Sequence, residues 1–141
     1  MTDTFRPRMA RYVCYGLAIL LIAATAVLFS VSPSFGMYAW GTIDYIGTLL
    51  LLAFFLWLLW IQVQVRVEVR EEGIYIKNLI YSHTLDWAEI VGVDFGEGPW
   101  VRVDTSEGHV INVMAIQSAD GEYARREAVR LATLIDRMQS R

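Results

Sequence analysis

At Ile61 the chain changes periodicity. From Ile43 to Ile61 every residue is apolar or small except Asp44, and the next nine, Gln62-Val63-Gln64-Val65-Arg66-Val67-Glu68-Val69-Arg70, alternate strictly between polar and apolar. A run of that length covers a hydrocarbon core about 30 Å thick, whereas period-two alternation belongs to a strand with one face buried and the other in water. No Gly/Ser linker separates the two. A membrane span running directly into a soluble β domain is the organisation this implies. A second run without charge, Tyr12 to Val31, lies upstream, and of the 50 residues from Tyr12 to Ile61 only Asp44 is charged. The overall hydrophobic content of 55% therefore averages two different solvents.

Three segments follow: a basic tail over 1–11, a two-helix transmembrane hairpin over 12–61, and one domain over 62–141. The tail carries Arg6, Arg8 and Arg11 against Asp3, while 62–141 holds nine basic and thirteen acidic side chains, a balance of −4. An acidic domain lacks the basic footprint that replaces phosphate counterions, so nucleic acid is excluded as a partner. Arginines stand before the first span and after the second (Arg66, Arg70), and Ser32 to Thr42 has neither Lys nor Arg. The positive-inside rule then puts both termini in the cytoplasm of a two-span, multi-pass plasma-membrane protein. A cleaved signal over Met1 to about Ala26 is the competing reading. Its apolar stretch exceeds the usual length of roughly 7 to 15 residues, and the second span alone would still carry the C-terminus inward.

Pro33 and Gly36 mark the outer turn of the hairpin, with Tyr38 and Trp40 beside it and Trp57 and Trp60 at the inner end, where interfacial aromatics gather. Thr42 is expected to cap the second span, with Asp44 meeting the positive end of the helix dipole. Beyond Arg70, Glu71-Glu72-Gly73 reads as a turn. Strands are expected over Ile74–Ile80, Thr84–Trp87, Ile90–Phe95, Trp100–Thr105 and His109–Ile116, each bounded by Gly, Pro, Asn, Ser or acidic turn residues. From Asp120 the period changes: Ala124, Ala128, Leu131, Ile135 and Met138 trace one apolar stripe along a helix, with Asp120 as cap and Glu122–Arg126 as an i,i+4 pair. Leu131 and Ile135 should bury against strand residues such as Val101 and Val113, leaving Arg126 and Arg137 in solvent.

Six strands closed by a C-terminal amphipathic helix is the outline of a PH-like barrel. The residues Glu72-Gly73-Ile74-Tyr75-Ile76, Leu85-Asp86-Trp87-Ala88-Glu89-Ile90 and Gly98-Pro99-Trp100-Val101 resemble the bacterial PH-like domain of the actinobacterial low-molecular-weight protein antigen family. The resemblance covers about Gln62 to Ile116. It implies a membrane α-helical hairpin followed by a mostly-β PH-like barrel or sandwich with a capping helix. A full barrel has a seventh strand, expected from a bend in the long first strand unless one edge stays open. No biochemical role comes with the family.

The chemistry-bearing residues are sparse. Cys14 lies in the first span without a partner, and His83 and His109 cannot alone supply four zinc ligands. Neither histidine has a Ser or Cys in a recognisable elbow, Gly96-Glu97-Gly98 lacks the Lys-Ser/Thr of a phosphate loop, and the acidic run Asp86, Glu89, Asp94, Glu97, Asp104 lacks calcium-loop spacing. No catalytic, cofactor-binding or metal residue is assigned, and no cofactor is expected. A phosphoinositide-type site needs several Lys or Arg around the opening between the first strands, and Arg70-Glu71-Glu72-Gly73 is acidic on balance. Trp87 and Trp100 are expected as core aromatics. The expected partners are the lipid bilayer and a protein, met through a surface that includes Tyr75, Trp100, Leu131 and Ile135. The function read from this is a non-enzymatic, membrane-anchored interaction module at the cytoplasmic face. The alternative is an accessory subunit whose spans make the main contact.

Overall fold

The computed structural model describes residues 3–34 and 39–141, so the hairpin-turn assignments at Gly36 and Tyr38 lie outside the described residues. The chain divides into two compact units, Ala10–Val63 on one hand and the residues up to Met9 together with Gln64–Arg141 on the other.

The first unit is helical. Helix α1 (Arg8–Val31) and helix α2 (Thr42–Val63) are each long and apolar enough to cross a membrane. Cys14 is the one buried residue on α1, and α2 has none, so leucines, isoleucines and Trp57 and Trp60 point outward. Hydroxyls within the spans bond back one turn, Thr25 Oγ1 to the Leu21 carbonyl and Thr48 Oγ1 to that of Asp44, which satisfies them without water. Phe29 packs edge to face on Trp40 and Tyr45, which are tilted against each other, with centroids 5.0 to 6.2 Å apart. The cap differs from the expectation in detail. Thr42 is already helical, and Asp44 turns back to accept the Gly41 N–H at 2.8 Å, the acidic half of a capping box.

Among its described residues, the second unit contains seven strands and one long α-helix. Strands β1 (Thr4–Phe5), β2 (Arg66–Val69), β3 (Gly73–Lys77) and β4 (Ser82–Asp86) form one antiparallel sheet in that order. Strands β5 (Ile90–Asp94), β6 (Trp100–Thr105) and β7 (Val110–Gln117) form the other. Helix α3 (Glu122–Gln139) packs on β5 and β7. Val67 and Val69 point inward from β2, as the alternation requires, and join Ile74, Ile76, Val101, Val103, Val113, Ile116 and Leu131 in one core. Gly73 has no choice of side chain: a Cβ there would lie 1.9 Å from the Leu85 carbonyl of the paired strand.

The seventh strand comes from an unexpected place. It is not a bend in the strand after Ile61, because α2 continues through Gln62 and Val63 and β2 begins only at Arg66. The tail before the first span supplies it. Thr4 pairs with Glu68 and Phe5 with Val67, and the Phe5 side chain is 0% exposed at the core. Asp3 reaches Arg130 of α3 at 2.8 Å, and the Arg130 guanidinium lies 4.9 Å from the Phe5 ring centroid. Asp120 also departs from its expected role. It does not cap α3, which starts after Gly121 at φ 56°, a backbone that glycine adopts freely. Its carboxylate instead accepts the N–H groups of Arg8 (3.1 Å) and Met9 (2.6 Å) at the start of α1. Arg126 and Arg137 are exposed as expected, whereas among the described residues Arg126 makes no ion pair with Glu122.

Candidate functional site

The four residues proposed for an interaction surface separate into two groups. Leu131 and Ile135, at 0% and 5% exposure, sit in the core and hold α3 onto the sheets, so the folded domain does not offer them to a partner. Tyr75 on β3 and Trp100 on β6 are half-buried and belong to different sheets. Tyr75 is covered by the Arg70 guanidinium, 4.5 Å from its ring centroid. Arg70 and Arg66 both hold Glu68, at 3.2 and 2.5 Å. The Arg66 hydrogen bond keeps the Glu68 carboxyl below the usual carboxylate range. Partial burial opposes this and Arg70 reinforces it.

Trp87 is not on a strand. It opens a short 3-10 turn, Trp87–Glu89, held by the Asp86 N–H donating to the Glu89 carboxylate at 2.8 Å, and its indole N–H donates to the Glu71 carbonyl at 2.9 Å. The turn Arg70–Gly73, read from the sequence as the opening between the first strands, connects β2 to β3 instead. The connection between β1 and β2 is the helical hairpin itself.

Two surface features have the geometry of contact sites. One is a groove of about 190 Å³ between the free edge of β5 and α3, lined by Val91, Gly92, Ala132 and Asp136. The Gln139 amide ties the end of the helix there, donating to the carbonyls of Trp87 and Ile90 at 2.7 Å each. The other is a groove of about 420 Å³ between the β3–β4 turn and β7, bordered by Leu79, Tyr81, His83, His109 and Val110. Its organiser is Asn78, a buried polar residue that the sequence reading absorbed into a longer strand. The Asn78 side-chain amide donates to the Asn112 carbonyl at 2.6 Å and its oxygen accepts the Met114 N–H at 3.1 Å. Its backbone N–H closes the turn on the Tyr81 carbonyl at 2.9 Å. An asparagine interrupting an apolar run was the available sequence signal. His83 is half-buried opposite Ile76, and His109 is exposed with Glu107 at 3.6 Å. Among the described residues, no group of three or more His, Cys, Asp or Glu is placed to hold a metal ion.

Two antiparallel sheets capped by a C-terminal helix, with a helical hairpin joining the first two strands, define a PH-like domain attached to two long apolar helices. Residues 64–133 match the family described as Bacterial PH domain, and the two apolar helices precede the matched segment. Proteins of Mycobacterium bovis and of two Mycobacterium tuberculosis strains, each bearing the name uncharacterized protein, are 31% identical to it over 107 residues. The match takes in 75% of this chain and spans 62% of the length of these curated relatives. No solved structure matches.

Proposed function

We propose that the protein is a non-enzymatic, membrane-anchored PH-like module at the cytoplasmic face of the plasma membrane, meeting a protein partner through the β5 edge beside α3. The observation that carries the anchoring is Phe5. A residue upstream of the first span is fully buried in the domain downstream of the second, which supports placing both flanks of the hairpin on one side of the bilayer. The Lys/Arg-free connection Ser32 to Thr42 and the flanking arginines favour the cytoplasm as that side. Cleavage near Ala26 would remove β1, which disfavours the signal-peptide alternative. The partner surface is supported by the edge of β5, where Val91 is 68% exposed and, beyond the Ile90 carbonyl that Gln139 occupies, no second strand pairs with it.

Labelling tests the topology: Ser34→Cys should react with an impermeant thiol reagent in intact cells and Ser140→Cys should not. The reverse pattern overturns it. For the partner, a photo-cross-linker at Val91 is compared with one at Leu50 in α2. Capture of the same protein from Val91 alone supports the module. The outward-facing spans favour the accessory-subunit reading, which capture from Leu50 alone would support.

A further inference from the structure

Among the described residues, the largest cluster of exposed apolar side chains outside the helices is the β3–β4 turn, where Leu79, Ile80 (79% exposed) and Tyr81 (70%) stand in a row, with Val110 across the groove. Such a row on a small domain normally has a partner. The register says where the turn sits. Arg66 pairs with Lys77, Ser82 also pairs with Lys77, and Phe5 pairs with Val67. Three things therefore leave the same end of the sheet: the chain from β1 toward α1, the chain from α2 into β2, and the turn that follows Lys77. The β2–β3 turn, Arg70–Glu72, is at the opposite end.

We infer that the β3–β4 turn is a lipid-contacting tip, in which Leu79, Ile80 and Tyr81 enter the interface of the bilayer that the two spans cross. The inference rests on the membrane-anchored reading and adds a contact the spans do not make. Chain length permits it. Between Arg66 and Ile61 the chain extends at most about 13 Å, with extended residues rising about 3.3 Å and helical ones about 1.5 Å. The tip runs two residues beyond Lys77, about 7 Å, before its side chains are counted. Composition suits the occupant: Asn78 to Tyr81 carries no charge, a tyrosine is amphipathic in the way interfacial residues are, and Lys77 can extend its ammonium to the headgroups. The tip is also pre-formed. Asn78 fastens it to β7 through Asn112 and Met114 and closes it on Tyr81, so insertion requires little further ordering. Because the unit is net acidic, contact should depend on apolar insertion rather than on anionic headgroups.

Full-length protein in a Cys14→Ala background is reconstituted into phosphatidylcholine liposomes and labelled with an environment-sensitive fluorophore at Ile80→Cys or, at the far end of the sheet, at Glu71→Cys. The expected result is blue-shifted emission at position 80, quenched by nitroxide lipids and shielded from aqueous iodide, with position 71 showing the converse. A water-like, iodide-accessible label at position 80 overturns the inference. So does a label shielded from iodide yet untouched by nitroxide lipid, which would mark a protein occupant such as a second copy. Quenching that appears only with anionic lipid overturns it as well. As a second variant, Leu79→Ser with Ile80→Ser, both exposed positions, should abolish lipid quenching of a label at Tyr81→Cys, and unchanged quenching counts against the tip. Thiol labelling of Ser34→Cys and Ser140→Cys variants reconstituted in the same way separates failure of the tip from failure of the topology.

Discussion

Leu50 of α2 and Val103 of β6 are close in chemistry, yet Leu50 is 66% exposed and Val103 is 0%. The contrast runs through the two units. One turns nearly all of its aliphatic and aromatic side chains outward, and the other gathers them into a single core. Burial in water is driven by removing apolar area from solvent, a drive that vanishes when the solvent is itself hydrocarbon. The hairpin is therefore held by chain connectivity, the Ser32–Tyr45 hydroxyl pair and the Phe29–Trp40–Tyr45 cluster, while the sheets are held by packing. Substitutions of apolar residues should accordingly be tolerated in one unit and severe in the other.

The largest effect is expected at Phe5. Phe5→Ala empties a fully buried site and should destabilise the sheet unit by about 3 to 5 kcal/mol, read as faster amide exchange in β2 and β3 of the full-length protein in nanodiscs. Leu50→Ala in α2 should leave that exchange unchanged. If the two substitutions behave alike, the contrast fails. Next comes Leu131→Ala, with an expected loss of about 2 to 5 kcal/mol, against Arg126→Ala on the exposed face of the same helix, expected within about 0.5 kcal/mol by urea unfolding.

Smaller, and a sharper test of how the sheet unit holds its own N-terminal segment up to Met9, is Asp120→Ala. It removes the acceptor for the Arg8 and Met9 N–H groups, and a helix cap of this kind contributes about 1 to 2 kcal/mol. Exchange at the start of α1 should rise while that of α3 stays constant. The smallest effect is Glu68→Gln, about 1 kcal/mol or less at neutral pH, since the site is partly exposed and screened. The Glu68 carboxyl is held below its ordinary value in the folded state, so its contribution is present above the unfolded value, about 4.3, and is lost as pH falls through the lowered one. Unfolding curves of wild type and Glu68→Gln should converge at acidic pH.

What the sequence revealed depended on how local the determining contacts were. β6 was read at its observed limits, Trp100–Thr105, because Gly-Pro and Ser-Glu-Gly turns bracket an alternating run. The stripe on α3 was visible in the spacing of Ala124, Ala128, Leu131 and Ile135. β1 had no such signature. Two residues between charged neighbours show no period, and their partners, Glu68 and Val67, stand on the other side of both spans. Asp120 misled for the same reason: a carboxylate just ahead of a helix is the ordinary local cap, yet here it serves a helix start 112 residues away in sequence. The junction after Ile61 was displaced because α2, once propagating, carries Gln62 and Val63 into its last turn and overrides the alternating pattern. Of the candidate surface, the burial of Leu131 and Ile135 against the strands was legible in the stripe, and placing the same two residues on a partner-facing surface conflicted with it, because periodicity identifies an apolar face without saying whether a sheet or a partner covers it.

Placing the hairpin between the first and second strands gives the protein an order of assembly. The first strand leaves the ribosome long before Glu68 and Val67 exist to receive it, and it must wait while both spans are made. Closing a loop of that length in free chain would carry an entropy that grows with the logarithm of its size, but a hairpin inserted as proposed above would return the ends to one side before the sheet forms. Insertion then becomes a precondition for completing the core. A copy whose first span stays out of the bilayer or enters the wrong way round would strand Phe5 across the membrane and leave β2 an open edge, the kind of surface that proteases and aggregation find first. On the membrane-anchored reading proposed above, the short strand ties completion of the sheet to both flanks of the hairpin emerging on one side.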